Sequence, residues 1–186
     1  MLEFLCDSYA MLEFLVHPLI PSDLLIPLLP LFSMTTPMRI FLAGIMQGSL
    51  PEPALHAQDY RRVLRGLLAD HLPQAHVFCP YENHNGSLTY TDDLGRRVFL
   101  DHVDRAAASD VLLAYLPEAS MGTAIEMWQA YQFGRTILTI SPLEHNWVVR
   151  FLSHRVFPSL DAFAATLATG ELAQYLATRC TSSRRQ

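Results

Sequence analysis

Glu126 is the carboxylate best placed to do chemistry. It closes PEASMGTAIE (117–126), a run of small and hydroxyl-bearing residues that leads into a helical pattern. Ser120, Gly122 and Thr123 precede the helix expected over 123–133, so their hydroxyls and amides point toward an anion or a sugar hydroxyl. Glu126 itself has two readings. With Thr123 it fits a capping box, a purely structural role. Alternatively it is a carboxylate in the first helical turn, where the helix dipole favours the anion that a nucleophile or general base needs. Asp101 and Asp104 stand three residues apart on one helix face, either as solvated charges or as a second acidic pair for the same site. Asp110 directly precedes an apolar strand and reads as a cap or turn residue. Gly44 and Gly48 bracket a Gly-x-x-x-Gly loop. It is neither a phosphate-binding Walker loop nor the dinucleotide fingerprint. Such a loop either relieves a tight strand-to-helix turn or lets the backbone approach a sugar or phosphate.

These residues need elements to hold them. MRIFLA (38–43), HVFCP (76–80), VLLAYL (111–116), TILTIS (136–141) and RVFPS (155–159) read as strands. Helical spacing is expected over 54–72, 94–109, 123–133 and 161–178, with a short helix after 142 and a polar loop over 82–93. Strand and helix alternate, and the strands are nearly continuous apolar runs, so both faces of a parallel sheet must be covered. The expected fold is α/β: one flavodoxin-like, doubly wound parallel sheet of about five strands in the order 2-1-3-4-5. A ligand then sits beyond the carboxyl ends of strands 1 and 3, where the chain order reverses. The loops there are 44–53 and 117–122, the two small-residue loops of the chain.

With 186 residues the chain holds one domain of ordinary size. The net charge is −5 and every basic residue is arginine. That balance excludes a partner gripped through phosphates alone, such as a nucleic-acid polymer. Residues 1–37 contain acids and no base, repeat MLEFL, and continue into a proline-broken leucine run. They have no basic stretch for a signal peptide, and Asp23 and four prolines interrupt any membrane span. They are expected to be an apolar extension outside the fold, with Met34 or Met38 as the usual start. Residues 38–178 form the domain and 179–186 a short arginine-bearing tail. Cys6, Cys79 and Cys180 have no metal-ligand spacing and form no disulfide framework, so a cytoplasmic protein without metal is expected.

The stretch SDVLLAYLPEASMGTAIEMWQAYQFGRTILTIS (109–141) resembles the nucleoside 2-deoxyribosyltransferase family and its relatives, the nucleoside 5′-monophosphate N-glycosidases. RIFLAG (39–44) fits the family's first strand and loop. The resemblance implies an enzyme without cofactor in which Glu126 attacks C1′ of the sugar, displaces the base and forms a glycosyl-enzyme ester. It implies that Ser120 contacts the 5′ end of the substrate. It also implies that an aspartate of the preceding helix, Asp101 or in reserve Asp104, orients the nucleophile or protonates the base. Transfer to a second base and hydrolysis are both open. The implied partner is a small nucleoside or nucleotide, and the implied assembly a homodimer or larger. Two departures stand out: Phe41 replaces a strand tyrosine that hydrogen-bonds the nucleophile, and Met127-Trp128 follow Glu126 where Leu-Gly is usual. Asn83, His84, Tyr90, His145, Asn146 and Trp147 lie in loops that border the site, either reading a base or ordering those loops. A nucleotide-sensing module that keeps Glu126 only as a cap is the competing class. It need not place an acidic partner beside Glu126, whereas an enzyme should bring Asp101 or Asp104 close to it.

Overall fold

The computed structural model describes residues 36–47, 52 and 54–183. Residues 1–35 of the expected extension, Gly48 and the end of the arginine-bearing tail lie outside the described residues. Five parallel strands, β1 (Arg39–Gly44), β2 (His76–Phe78), β3 (Val111–Tyr115), β4 (Thr136–Ile140) and β5 (Arg155–Phe157), form one sheet in the order β2-β1-β3-β4-β5. This is the flavodoxin-like order the sequence predicts.

Alternation along each strand builds two cores. Ile40 and Leu42 of β1, Val111 and Leu113 of β3, and Leu138 and Ile140 of β4 face one layer. That layer is α1 (Asp59–His71), α6 (Leu160–Ala168) and α7 (Glu171–Ser183). Phe41, Ala43, Leu112, Ala114 and Ile137 face the other, built by α3 (Asp92–Ala108), α4 (Met121–Gln132) and α5 (Trp147–Leu152). The strands are apolar on both sides because both sides are covered. Asp110 accepts the Arg39 N–H at 2.8 Å and ties the amino ends of β1 and β3 together, a structural role far from the carboxyl edge.

The helix boundaries move from their expected positions for local reasons. α3 begins at Asp92, because the Thr91 hydroxyl accepts from Leu94 N–H and two aspartates occupy the first turn. The polar loop 82–93 is partly ordered into α2 (Pro80–Asn83) and a 3₁₀ turn (Ser87–Thr89). The single helix expected over 161–178 is two helices. Gly170 breaks it with φ of 73°, a left-handed conformation that costs glycine little. α7 continues through Ser183, past the expected boundary at 178.

Candidate active site

The carboxyl ends of β1 and β3 meet where Gly44 pairs with Tyr115. Tyr60 of α1 fills the space above them. Its ring stacks on Tyr115 at 4.3 Å between centroids, and its hydroxyl donates to Ile45 O at 3.1 Å. A Cβ on Gly44 would collide with the Tyr60 hydroxyl, so a glycine is needed here for close approach. Beside Tyr60 lies Arg61, 2% exposed. Its Nη1 donates to Leu42 O at 3.1 Å and its Nη2 to Gly44 O at 3.0 Å, while Nε donates to Gln58 Oε1 at 2.7 Å. Nη1 also lies 3.6 Å from Cys79 Sγ at the end of β2. A buried guanidinium is thus held at the sheet edge by neutral acceptors.

Glu126 comes to this edge from the opposite layer. It is 9% exposed. Burial pushes its carboxyl up to about 8, and the Arg61 guanidinium pulls it partly back. Tyr60 lies in the field of both, and burial holds its phenol well above the ordinary range. The helix dipole therefore does not set the charge state of Glu126, contrary to the sequence expectation. The reason is position. Ser120 caps α4, its hydroxyl accepting from Thr123 N–H at 3.4 Å and from the Thr123 hydroxyl at 3.1 Å. The helix thus begins at Met121, and Glu126 falls in its second turn. The capping-box reading of Thr123 and Glu126 fails for the same reason, because Thr123 is the capped residue and not the cap.

The other candidates separate. Gly44 lies at the crevice. Ser120 and Gly122 lie at the start of α4, where a Cβ on Gly122 would meet nothing within 4 Å. Asp101 and Asp104 are not brought to Glu126. Asp101 accepts from Arg105 Nε at 2.6 Å on the outer face of α3, and Asp104 is exposed. The residue of α3 that turns inward between them is His102. Asn146 caps α5, its Oδ1 accepting from Val148 and Val149 N–H. It also lines an apolar cleft of about 170 Å³ with Leu116, Ser120, Ala124, Leu143 and Val149. That cleft does not include Glu126. Phe41 is fully buried against Phe78, and a tyrosine reaches the glutamate's surroundings from α1 instead.

Sequence reasoning missed Arg61, Tyr60 and His102. Arg61 carried a signal: it stands three and seven residues before Leu64 and Leu68, on the buried stripe of α1. Among the described residues no cluster of three His, Cys, Asp or Glu is placed to hold a metal ion. Nor is any helix among them long and apolar enough to cross a membrane.

A five-stranded doubly wound sheet with an acid and a buried arginine at its switch point defines an α/β protein of flavodoxin-like architecture. No family model and no curated protein matches the chain. Solved structures do. A 2-deoxyribosyltransferase from the psychrotolerant bacterium Bacillus psychrosaccharolyticus is 20% identical with a TM-score of 0.51, over 69% of this chain and 95% of that one. A conserved protein from Enterococcus faecalis V583 is likewise 20% identical with a TM-score of 0.51, over 71% and 98%. A CMP N-glycosidase from Clostridium botulinum is 16% identical with a TM-score of 0.43, over 70% and 98%. At these identities the likeness is one of fold.

Proposed function

We infer that the protein cleaves the N-glycosidic bond of a (deoxy)nucleoside or nucleotide, acting as a nucleoside 2-deoxyribosyltransferase with Glu126 as nucleophile. The observation that carries this reading is a buried carboxylate that caps nothing, held at the switch point in the field of a buried arginine. Likeness of fold to the Bacillus 2-deoxyribosyltransferase agrees with it.

With a pKa of about 8, roughly a tenth of Glu126 is ionised at pH 7. Positive charge building on the sugar at C1′ favours the carboxylate, so the charge pair forms as the bond breaks. Attack on C1′ expels the base and leaves an ester on Glu126. A second base or water then opens that ester. Arg61 keeps the ionised form within reach of neutral pH, and Ser120 at the head of α4 faces the 5′ end of the substrate.

Met121, Ile125 and Trp128 form an exposed stripe on α4, spaced four and three residues apart. Trp147 and Phe151 extend the exposed apolar surface on α5. The stripe supports assembly as a homodimer or larger, since a second copy would cover it. Trp128→Glu is expected to lower the molar mass seen by sedimentation.

The test of function is incubation with a panel of nucleosides and 5′-monophosphates, with chromatography for released base. Glu126→Ala is expected to abolish release, and full activity in that variant would end the proposed mechanism. Incorporation of an added base marks transfer; free sugar whatever base is added marks hydrolysis. The displacement of Asp101 and Asp104 from Glu126 is the observation that favours a nucleotide sensor instead. Binding of nucleotides without turnover anywhere in the panel would decide for that reading.

A further inference from the structure

α3 turns one polar side chain, His102, inward near the carboxyl end of β2. It is 8% exposed, and its Nε2 is buried with no hydrogen-bond partner among the described residues. A buried nitrogen left unpaired costs free energy in the folded state, so it calls for an explanation. Its surroundings suggest one. The Phe78 ring stands edge-on at 6.1 Å, and the His84 ring is tilted against it at 5.1 Å. His84 is fastened on its far side by Nδ1 to the Tyr90 hydroxyl at 3.0 Å. Glu82, Asn83, Asn85, Gly86, Leu88 and Thr89 around it are all exposed. The wall over His102 therefore has little packing to hold it and can open at low cost. Arg61 Nη1 lies 3.6 Å from Cys79 Sγ, the residue after Phe78, so His102 and Arg61 both adjoin the carboxyl end of β2.

We propose that a nucleobase takes the place of the His84 ring against His102, and that His102 Nε2 is the group that reads the base as it leaves. The ligand's identity rests on the glycosidic reading given above; the subsite rests on His102 and its neighbours. Burial, helped by His84, lowers the His102 imidazole to about 4, so it is neutral at pH 7. A neutral imidazole carries one N–H, and in the tautomer that puts it on Nε2 this group donates a hydrogen bond and keeps its proton. A Glu126 oxygen forms a bond to C1′, the C1′–N bond breaks, and its electron pair stays on the base. The His102 N–H stabilises that charge at a ring nitrogen or carbonyl of the base, which takes its proton from water after departure. A carboxylic acid would instead hand the base a proton, so His102 favours bases that leave readily as anions.

Calorimetric titration with free hypoxanthine and free uracil tests this on the wild type, His102→Leu and His102→Gln, alongside ¹⁵N spectra of the histidine rings. Leucine removes the unpaired nitrogen at similar volume, and urea unfolding checks that the variant folds. The wild type is expected to bind at least one of the two bases with a shift of the His102 Nε2 resonance. Leucine is expected to weaken binding by about tenfold or more, and glutamine, which keeps an N–H, to retain most of it. Equal binding by wild type and His102→Leu, or no binding of either base to the wild type, would overturn the proposal. Base release from nucleosides, measured in parallel, separates it from the glycosidic reading. A wild type that binds base through His102 and releases none sinks the glycosidic reading alone. Release at wild-type kcat/KM in His102→Leu sinks the His102 subsite alone.

Discussion

Replacing Glu126 with glutamine removes one titration and leaves the volume nearly unchanged, so its effect on stability is calculable. In the folded protein the carboxyl ionises near 8, against 4.5 in the open chain. Between those values the unfolded state has lost a proton that the folded state keeps, so stability falls as pH rises. Above 8 both states are ionised and the loss is complete. His102 runs the other way. Its folded value of about 4 lies below the ordinary 6.5, so its contribution is lost as pH falls from 6.5 to 4. Burial and Arg179 lower His154 in the same direction. The acid-side slopes therefore oppose one another, and the clean window for Glu126 is pH 6.5 to 8. Across it, 1.5 pH units at about 1.4 kcal/mol each amount to roughly 2 kcal/mol. Urea unfolding of wild type and Glu126→Gln at half-unit steps is the assay. The difference between the two proteins should move by about 2 kcal/mol in favour of glutamine from pH 6.5 to 8. A difference constant across that window would refute the burial argument, because it would mean an ordinary, solvated carboxyl.

The remaining expectations follow from the same edge of the sheet. The logarithm of kcat/KM for base release should rise with pH with unit slope and level off near 8, as Glu126 ionises; a plateau already reached at pH 6 would contradict it. Arg61→Met removes the charge that pulls Glu126 down, so the inflection should move above 8. The same change strips Leu42 O and Gly44 O of their donors and should cost about 3 kcal/mol by urea unfolding. Gly44→Ala drives a methyl into the Tyr60 hydroxyl and should cost about 1–3 kcal/mol, with Gly44→Ala in a Tyr60→Phe background costing less. Gly170→Ala forces a side chain into the left-handed region and should lower stability by about 1–2 kcal/mol in thermal unfolding.

Most of the fold was legible because its signals are local. Continuous apolar runs bounded by Gly, Pro and polar clusters leave a buried parallel strand as the simplest solution, and the alternation of elements then fixes the class. The α6–α7 break is hidden because ATLATGELAQYL keeps its helical spacing across Gly170, whose left-handed backbone leaves no mark in that spacing. The site was half legible. Glu126 and Ser120 were visible in their loop, but which of Ser120 and Thr123 caps α4 depends on a two-residue shift of the helix start. Arg61 was passed over because a charge on a helix normally points to water, and its acceptors are backbone carbonyls, which leave no mark in a sequence. Asp101 and Asp104 drew attention for their charge, yet that charge is why they face solvent. The inward place on α3 fell to the histidine between them.

The two buried ionisable groups of the crevice belong to different layers of the protein. Arg61 reaches the sheet edge from α1 and Glu126 from α4, and the sheet separates the cores beneath those helices. A ligand that engages both is therefore a fastener across the sheet rather than a plug in one wall. Amide exchange on α1 and α4 should slow together when it binds, although the two helices share no core cluster. Opening of either layer alone would then release the ligand, so the affinity of the site measures the cohesion of the whole domain.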